Sequence, residues 1–301
     1  MTIFLRHFSS EPGFSEDFIR VRDFFKRIHE PTYKFGNWDW VRWEWGFSLP
    51  YLDETQLSKI GVWEDDGRIV ALATYETTLG EAYFAYDQDY AFLKKALIEY
   101  AVEYLAKVDE NGAHSLNMGI SESDDEFRQI ARDLGFTEGE KPEYMSTMHN
   151  PDVLPEISLP AGYSIVSMAE ENDLHKINRV LWRGFNHPGE PPESEIPGRI
   201  KSQSGPDFRR DITLAVKAPN GNFVSYCGMW YTPDIDYAVV EPVATDPDYR
   251  RMGIGKAVVL EGIRRCFAEG AVAVYVGSGQ QFYFDIGFKP IAATRRWSKT
   301  W

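Results

Sequence analysis

Residues 246–259, DPDYRRMGIGKAVV, carry Arg250, Arg251, Met252, Gly253, Ile254, Gly255 and Lys256 between an Asp-Pro turn and an aliphatic run. A helix that opens on glycines presents free backbone N–H groups, reinforced by the positive end of the helix dipole, to an anion at its tip. Gly253 and Gly255 let such a ligand reach the main chain with no Cβ in the way. The two arginines and Lys256 add charge. The chemistry this suits is the holding of a phosphate or diphosphate. Two rival phosphate loops fail on spacing: a dinucleotide GxGxxG needs glycine at Val258, and a Walker loop needs glycine at Arg250 and Ser or Thr at Ala257. RxxGxG by itself is a weak signal, so the surrounding elements carry the weight.

Those elements repeat at about half the chain length. SEDFIRVRDFFKRIHEP spaces Ile19, Val21, Phe25 and Ile28 near one helical face, and ENDLHKINRVLWRGFNHP does the same with Leu174, Ile177, Leu181 and Phe185. Two strands follow in each half, around Asp66-Gly67 and around Asn220-Gly221, both strong hairpin dipeptides. YDQDY (86–90) then answers TDPDY (245–249). An amphipathic helix follows each: 91–107, with Leu93, Leu97, Tyr100, Ala101 and Tyr104 inward, and 253–269, with Val259, Ile263, Cys266 and Phe267 inward and Gly270 at its C-cap. Each half closes with a strand, HSLNMGI or AVAVYVG, and a short helix ending in Gly-Phe. The halves read as two copies of one α/β unit, 1–150 and 151–301, joined by the proline-bearing stretch 150–162. They differ in two places that matter. AFLKKAL replaces the glycine loop in the first copy, and Ala131 stands where the second has Tyr283. Any anion chemistry therefore belongs to the second copy, with the first as a structural partner that shapes an acceptor cleft.

Bulk properties narrow the function classes. The 301 residues suit two domains, and 43% hydrophobic with 26% charged residues is ordinary globular composition. Net charge is −14, with 15 Lys/Arg against 28 Asp/Glu in residues 1–150 and 17 against 18 in 151–301. Phosphates would be repelled over most of such a surface, so a nucleic-acid partner is not expected. The near-neutral half is the better host for an anionic cofactor. Cys227 and Cys266 form no CxxC and sit in no electropositive motif, which disfavours a disulfide scaffold, a zinc site and a cysteine nucleophile. No metal is expected. With Arg6 and Glu11 early in the chain and no long apolar run, neither a signal peptide nor a membrane partner is predicted, and the expected location is the cytoplasm.

EPVATDPDYRRMGIGKAVV resembles the acetyl-CoA motif of the GCN5-related N-acetyltransferase (GNAT) superfamily, with Arg250, Gly253 and Gly255 on its R/Q-x-x-G-x-G/A positions. YFDIGF resembles the family's second signature. The resemblance is specific over roughly 236–288, and both halves end to end look like tandem GNAT proteins whose first copy has lost the cofactor loop. It implies an α/β fold of two tandem GNAT-like domains. Each would be a mixed, mostly antiparallel sheet with a splayed central parallel pair, flanked by helices. It further implies acetyl-CoA as cosubstrate, with its diphosphate on the loop from Arg250 to Lys256 and its pantetheine arm along Val243, Ala244 and Thr245.

The resemblance also implies site roles. Tyr283 matches the family's general acid, and a phenol of pKa about 10 can protonate a thiolate leaving group if held close; a packed aromatic beside Phe282 and Phe284 is the other reading. Glu241 matches a position where relatives carry a carboxylate that takes the amine proton; a solvated edge carboxylate is its alternative. In some tandem relatives the terminal carboxylate, here that of Trp301, is the base instead. Two features depart from the family: only thirteen residues follow Phe288, short for a closing hairpin, and VGSGQQFYF lacks the asparagine many relatives carry. Glu190, Glu193 and Glu195, in the loop where relatives bind their acceptor, either attract a cationic amine or are merely solvated. His187 reads as a turn residue or a base, and Met168, Trp182 and Trp230 as core. Trp38, Trp40, Trp43 and Trp45 either form a buried seam or line an acceptor cleft by stacking.

The expected activity is acetyl transfer to a primary amine of a small molecule, aminoglycoside-like or polyamine-like, by direct attack in a ternary complex. A non-catalytic acyl-CoA sensor is the alternative, and a tRNA-dependent aminoacyltransferase is disfavoured by the acidic balance. Oligomeric state is left open, an internal pseudo-dimer within a monomer being one form.

Overall fold

Asp66 and Gly67 both take positive φ, 50° and 76°, the conformation a two-residue hairpin loop demands. They join β2 (Gly61–Asp65) to β3 (Arg68–Thr74). The computed structural model describes residues 3–29, 38–151 and 153–301. The chain divides into two compact units, one of Met1–Met145 with Ile291–Trp301, the other of Ser146–Pro290.

The first unit starts with β1 (Ile3–His7), α1 (Glu16–Arg27) and α2 (Trp40–Ser48). Ser15 caps α1 by accepting from the Phe18 amide, and the helix buries Phe18, Val21, Phe24 and Phe25. The buried stripe is thus rotated from the predicted Ile19, Val21, Phe25 and Ile28. The larger rings of Phe18 and Phe24 take the core, and Trp43 fills the space among Phe8, Phe18, Phe25 and Phe47 with ring centroids 4.6–6.0 Å away. Trp40 and Trp43 are fully buried and Trp38 stacks on Tyr83 at 4.1 Å, so these three tryptophans pack inside their own unit; Trp45 is half-buried.

β4 (Glu81–Tyr86), α3 (Lys94–Tyr104), β5 (Lys107–Val108), β6 (His114–Ser121), α4 (Asp125–Asp133) and β7 (Thr137–His149) follow. The helix predicted over 91–107 starts instead as a 3-10 turn, Gln88–Leu93, and becomes α-helical at Lys94. The sheet runs β1-β2-β3-β4-β6, with β5 on β6. β4 and β6 are parallel, but only over Glu81↔Asn117 and Ala82↔Met118.

In the second unit come β8 (Ser164–Ser167), α5 (Leu174–Gly184), α6 (Ile196–Ser202), β9 (Leu214–Lys217), β10 (Phe223–Trp230), β11 (Tyr237–Thr245), α7 (Ile254–Ala268), β12 (Ala273–Val276) and α8 (Gln281–Phe284), and the chain ends on β13 (Lys289–Thr300). Strand order is β12-β11-β10-β9-β8. The period-two alternation of β9 divides its side chains between two layers. Leu214 and Val216 join Val258, Val259, Ile263 and Cys266 of α7, whereas Ala215 joins Ile177, Val180 and Leu181 of α5. Helix α7 starts and stops within a residue of the prediction, with Gly270 at φ 113° just past its end.

The sequence places the second unit at 151–301, whereas the compact unit runs Ser146–Pro290. Ser146–His149 of β7 pairs with β12, so this four-residue piece belongs with the second unit. Strand β13 pairs antiparallel with β6 from Thr294↔Ser121 to Thr300↔Ser115, and Trp301 exchanges main-chain bonds with His114 at 2.8 and 3.0 Å. Each unit thus closes the open edge of its last parallel strand with chain from the other half of the sequence. This accounts for the missing closing hairpin: the residues after Phe288 form one long strand.

Candidate active site

The site is built where β11 and β12 part. Their parallel pairing covers Tyr237↔Ala273, Ala238↔Val274 and Val239↔Tyr275, after which β12 stops and β11 continues to Thr245 alone on that side. An irregularity helps to turn β11: Val240 and Val243 oppose Met229 and Cys227, so Glu241 and Pro242 together face Gly228. A Cβ on Gly228 would lie 2.2 Å from the Glu241 carbonyl oxygen, which explains the glycine.

Asp246 ends the strand. Its side chain is fully buried, accepts from the Asp248 amide, and is held by Arg183 at 2.7 Å and Arg179 at 3.1 Å from α5. Burial alone would raise its carboxyl; the Arg183 bond and the Asp248 N–H hold it below the ordinary range. After a 3-10 turn the chain passes through Arg251 (φ 62°) and Gly253 (φ 80°), and α7 begins. Gly253 stands at the N-cap with no side-chain bond to the helix. The first-turn amides of α7 therefore have no carbonyl or side-chain cap within the helix. Gly255 packs against the strand, where its Cβ would meet Thr245 Oγ1 at 3.0 Å.

Around this helix tip lies a cleft of about 740 Å³. Val243, Ala244, Thr245, Arg250, Arg251, Gly253, Ile254, Gly255 and Lys256 line one part of it, and Phe282, Tyr283 and Ile286 another. Met252 is 39% exposed and outside the lining, as is the half-buried Glu241. Residues 184–186, at the end of α5, complete the wall. The sequence puts Phe185 on the inward face of α5, but it is 53% exposed on this wall, and Asn186 falls in the loop that the resemblance assigns to the acceptor.

Tyr283 is packed as its aromatic reading expects, and it also lines the cleft. It packs edge-on against Phe282 and Phe288 at 5.0 and 5.7 Å and also faces the cleft, 7% exposed. Burial pushes its hydroxyl well above the phenol range, with Cys227 and Glu241 adding to the rise, so the proton stays on. Both cysteines are buried in the core; burial raises Cys227 strongly and Cys266 to about 12, far from a thiolate at neutral pH.

The acidic loop is internally paired. Glu190 lies 3.3 Å from Arg179, Glu193 3.6 Å from His175 and Glu195 3.9 Å from Arg199. Glu190 and Glu195 thus each lie beside an arginine of their own unit, which supports the reading of these carboxylates as solvated surface groups. His187 stacks on Trp182 at 4.4 Å, and Trp182 donates to the Pro188 carbonyl; Trp182 is half-buried, while Met168 and Trp230 lie in the core. Trp301, the other base candidate, belongs to the first unit beside His114.

The first unit fills the corresponding place differently. Lys94 opens α3, and its nearly buried ammonium bonds Asp124 at 2.8 Å and Glu126 at 2.9 Å, while Tyr86 donates to Asp124 at 2.7 Å. Among the described residues no group of three His, Cys, Asp or Glu could hold a metal, and no helix is long and apolar enough to cross a membrane.

Residues 174–288 match the model of the Acetyltransferase (GNAT) family. No curated protein matches the chain. Among solved structures, a GCN5-related N-acetyltransferase from Sphaerobacter thermophilus aligns over 99% of this chain and 95% of its own at TM-score 0.64 and 14% identity. A tandem GNAT protein from the clavulanic acid biosynthesis pathway aligns over 99% and 98% at TM-score 0.63 and 13% identity. The chain has the tandem GNAT fold, with mostly antiparallel sheets that contain parallel pairs.

Proposed function

We propose that this chain, whose residues 174–288 form a GNAT-family domain, is an acetyl-CoA-dependent N-acetyltransferase that modifies a primary amine of a small molecule in a ternary complex. The observation that carries the reading is the uncapped, glycine-opened tip of α7 beside the unpaired edge of β11, both facing one cleft. The residues fit the cofactor. Nothing lies within 4 Å of where a Gly253 Cβ would stand, so the loop is open at that point, and Arg251 and Lys256 flank it.

Bound acetyl-CoA supplies an activated thioester carbonyl. The amides of 254–256 would hold its diphosphate, and the edge of β11 at 243–245, beyond its pairing with β12, its pantetheine arm. Tyr283, kept protonated by its burial, would give its hydroxyl proton to the departing sulfur. Glu241, near enough to Tyr283 to raise its hydroxyl, would accept the proton of the attacking ammonium. The first unit, lacking the glycine loop and holding the Lys94–Asp124 pair in its place, would not take the cofactor. The proposed protein works without nucleic acid, membrane or metal, in the cytoplasm. Calorimetry with coenzyme A tests the binding claim, with one site per chain expected. Thiol release over a panel of polyamines, aminoglycosides and amino acids tests transfer; binding without release would indicate an acyl-CoA sensor.

A further inference from the structure

Arg250 heads the glycine loop, yet its guanidinium turns back onto protein. Nε donates to the Thr245 carbonyl at 3.1 Å, and Nη2 donates to the Gly184 carbonyl at 2.8 Å and to Asn186 Oδ1 at 2.9 Å. These acceptors sit on two elements, the end of β11 and the end of α5 with the turn beyond it. Asn186 holds that turn in a left-handed conformation, φ 63°. The two elements touch: a Cβ on Gly184 would lie 2.7 Å from Ala244 Cβ and 3.0 Å from the Thr245 amide. Asp246 ties the same helix to the same loop through Arg179 and Arg183. A planar fork with fixed donors suits such a three-way tie better than a lysine would.

We propose that Arg250 is a positioning residue. It pins the turn at 184–186 against the end of β11 and so shapes one wall of the cleft, while the diphosphate is left to the α7 amides, Arg251 and Lys256. The proposal rests on the reading of this cleft as the coenzyme A site. If it holds, Arg250 and Asn186 act as one unit, and their substitutions are not additive.

Calorimetry with coenzyme A at two ionic strengths, on Arg250→Ala, Asn186→Ala and the double variant, tests this. Each single variant should weaken binding by about tenfold, and the double should be no more than about twofold worse than the weaker single, with the salt dependence unchanged. An Asn186→Ala variant that binds as wild type, beside an Arg250→Ala variant with a flattened salt dependence, would make Arg250 a phosphate ligand and overturn the proposal. Hydrogen exchange on the ligand-free chain tests the tie without the cofactor. The amides of Asn186 and His187, bonded to the Arg183 and Trp182 carbonyls, should exchange about tenfold faster in Arg250→Ala and keep their rates in Lys256→Ala. Unchanged β10 amides show that the variant is folded. Faster turn exchange in a protein that binds no coenzyme A would uphold the tie and reject the cofactor reading; unchanged turn exchange rejects the tie.

Discussion

Replacing Gly253 by alanine separates loop geometry from general stability, because the chain contains a matched control. Gly253 has φ 80° and Gly67, in the β2–β3 hairpin, has φ 76°, and an added Cβ meets nothing within 4 Å at either position. Both substitutions therefore impose the same left-handed strain, about 1–2 kcal/mol, with no steric clash. Only one lies at the proposed diphosphate site. In Gly67→Ala the strain should appear as lost stability, with coenzyme A affinity unchanged. In Gly253→Ala the ligand-free loop can relax by letting residue 253 leave the left-handed region, and binding must then restore it. The strain passes into the dissociation constant, a rise of about 5- to 30-fold. Paired denaturant melts and calorimetry on the two variants make the measurement. Equal affinities for Gly253→Ala and wild type, with Gly67→Ala destabilised, would refute the claim that this backbone shape grips the ligand.

Tyr283→Phe should lower kcat by about 10²- to 10⁴-fold while coenzyme A affinity stays within about twofold. Its hydroxyl sits above the phenol range, so no rate loss from its ionisation should appear up to about pH 10, the ordinary phenol value; an unchanged rate in the variant removes the acid assignment. Asp246→Asn should cost about 3 kcal/mol at pH 7, the low end for a broken buried pair, because Arg179 and Arg183 keep 27% and 21% of their side-chain surface exposed. The folded carboxyl is depressed, so the wild-type advantage is fully present above the ordinary carboxylate value of about 3.9 and fades as pH falls through the lower folded value. Melts from pH 7 to acid check this, and an advantage that grows on acidification would contradict it.

Local signals in the sequence translated well into structure where chemistry and geometry coincide in a few neighbouring residues. Asp66-Gly67 turned a hairpin, and Gly253 and Gly255 opened a helix against a strand. Tertiary relations were less legible. Nothing near Asp246 announces that Arg179 and Arg183, more than sixty residues earlier, neutralise it, and the role of Gly228 depends on a carbonyl on the neighbouring strand. The motif places Arg250 in a diphosphate loop, whereas its guanidinium bonds go to three protein acceptors. The α1 stripe shifted because ring size outweighs aliphatic periodicity when a tryptophan must be surrounded. The destination of the final strand depends on which sheet edge is vacant, and composition does not record that.

The pairing of β6 with β13 has a consequence for synthesis. Residues 115–121 leave the ribosome long before residues 294–300, their antiparallel neighbours, exist. The portion made first is therefore completed last, and an exposed strand edge must wait through translation of the whole intervening sequence, a delay during which improper pairing with other nascent chains competes.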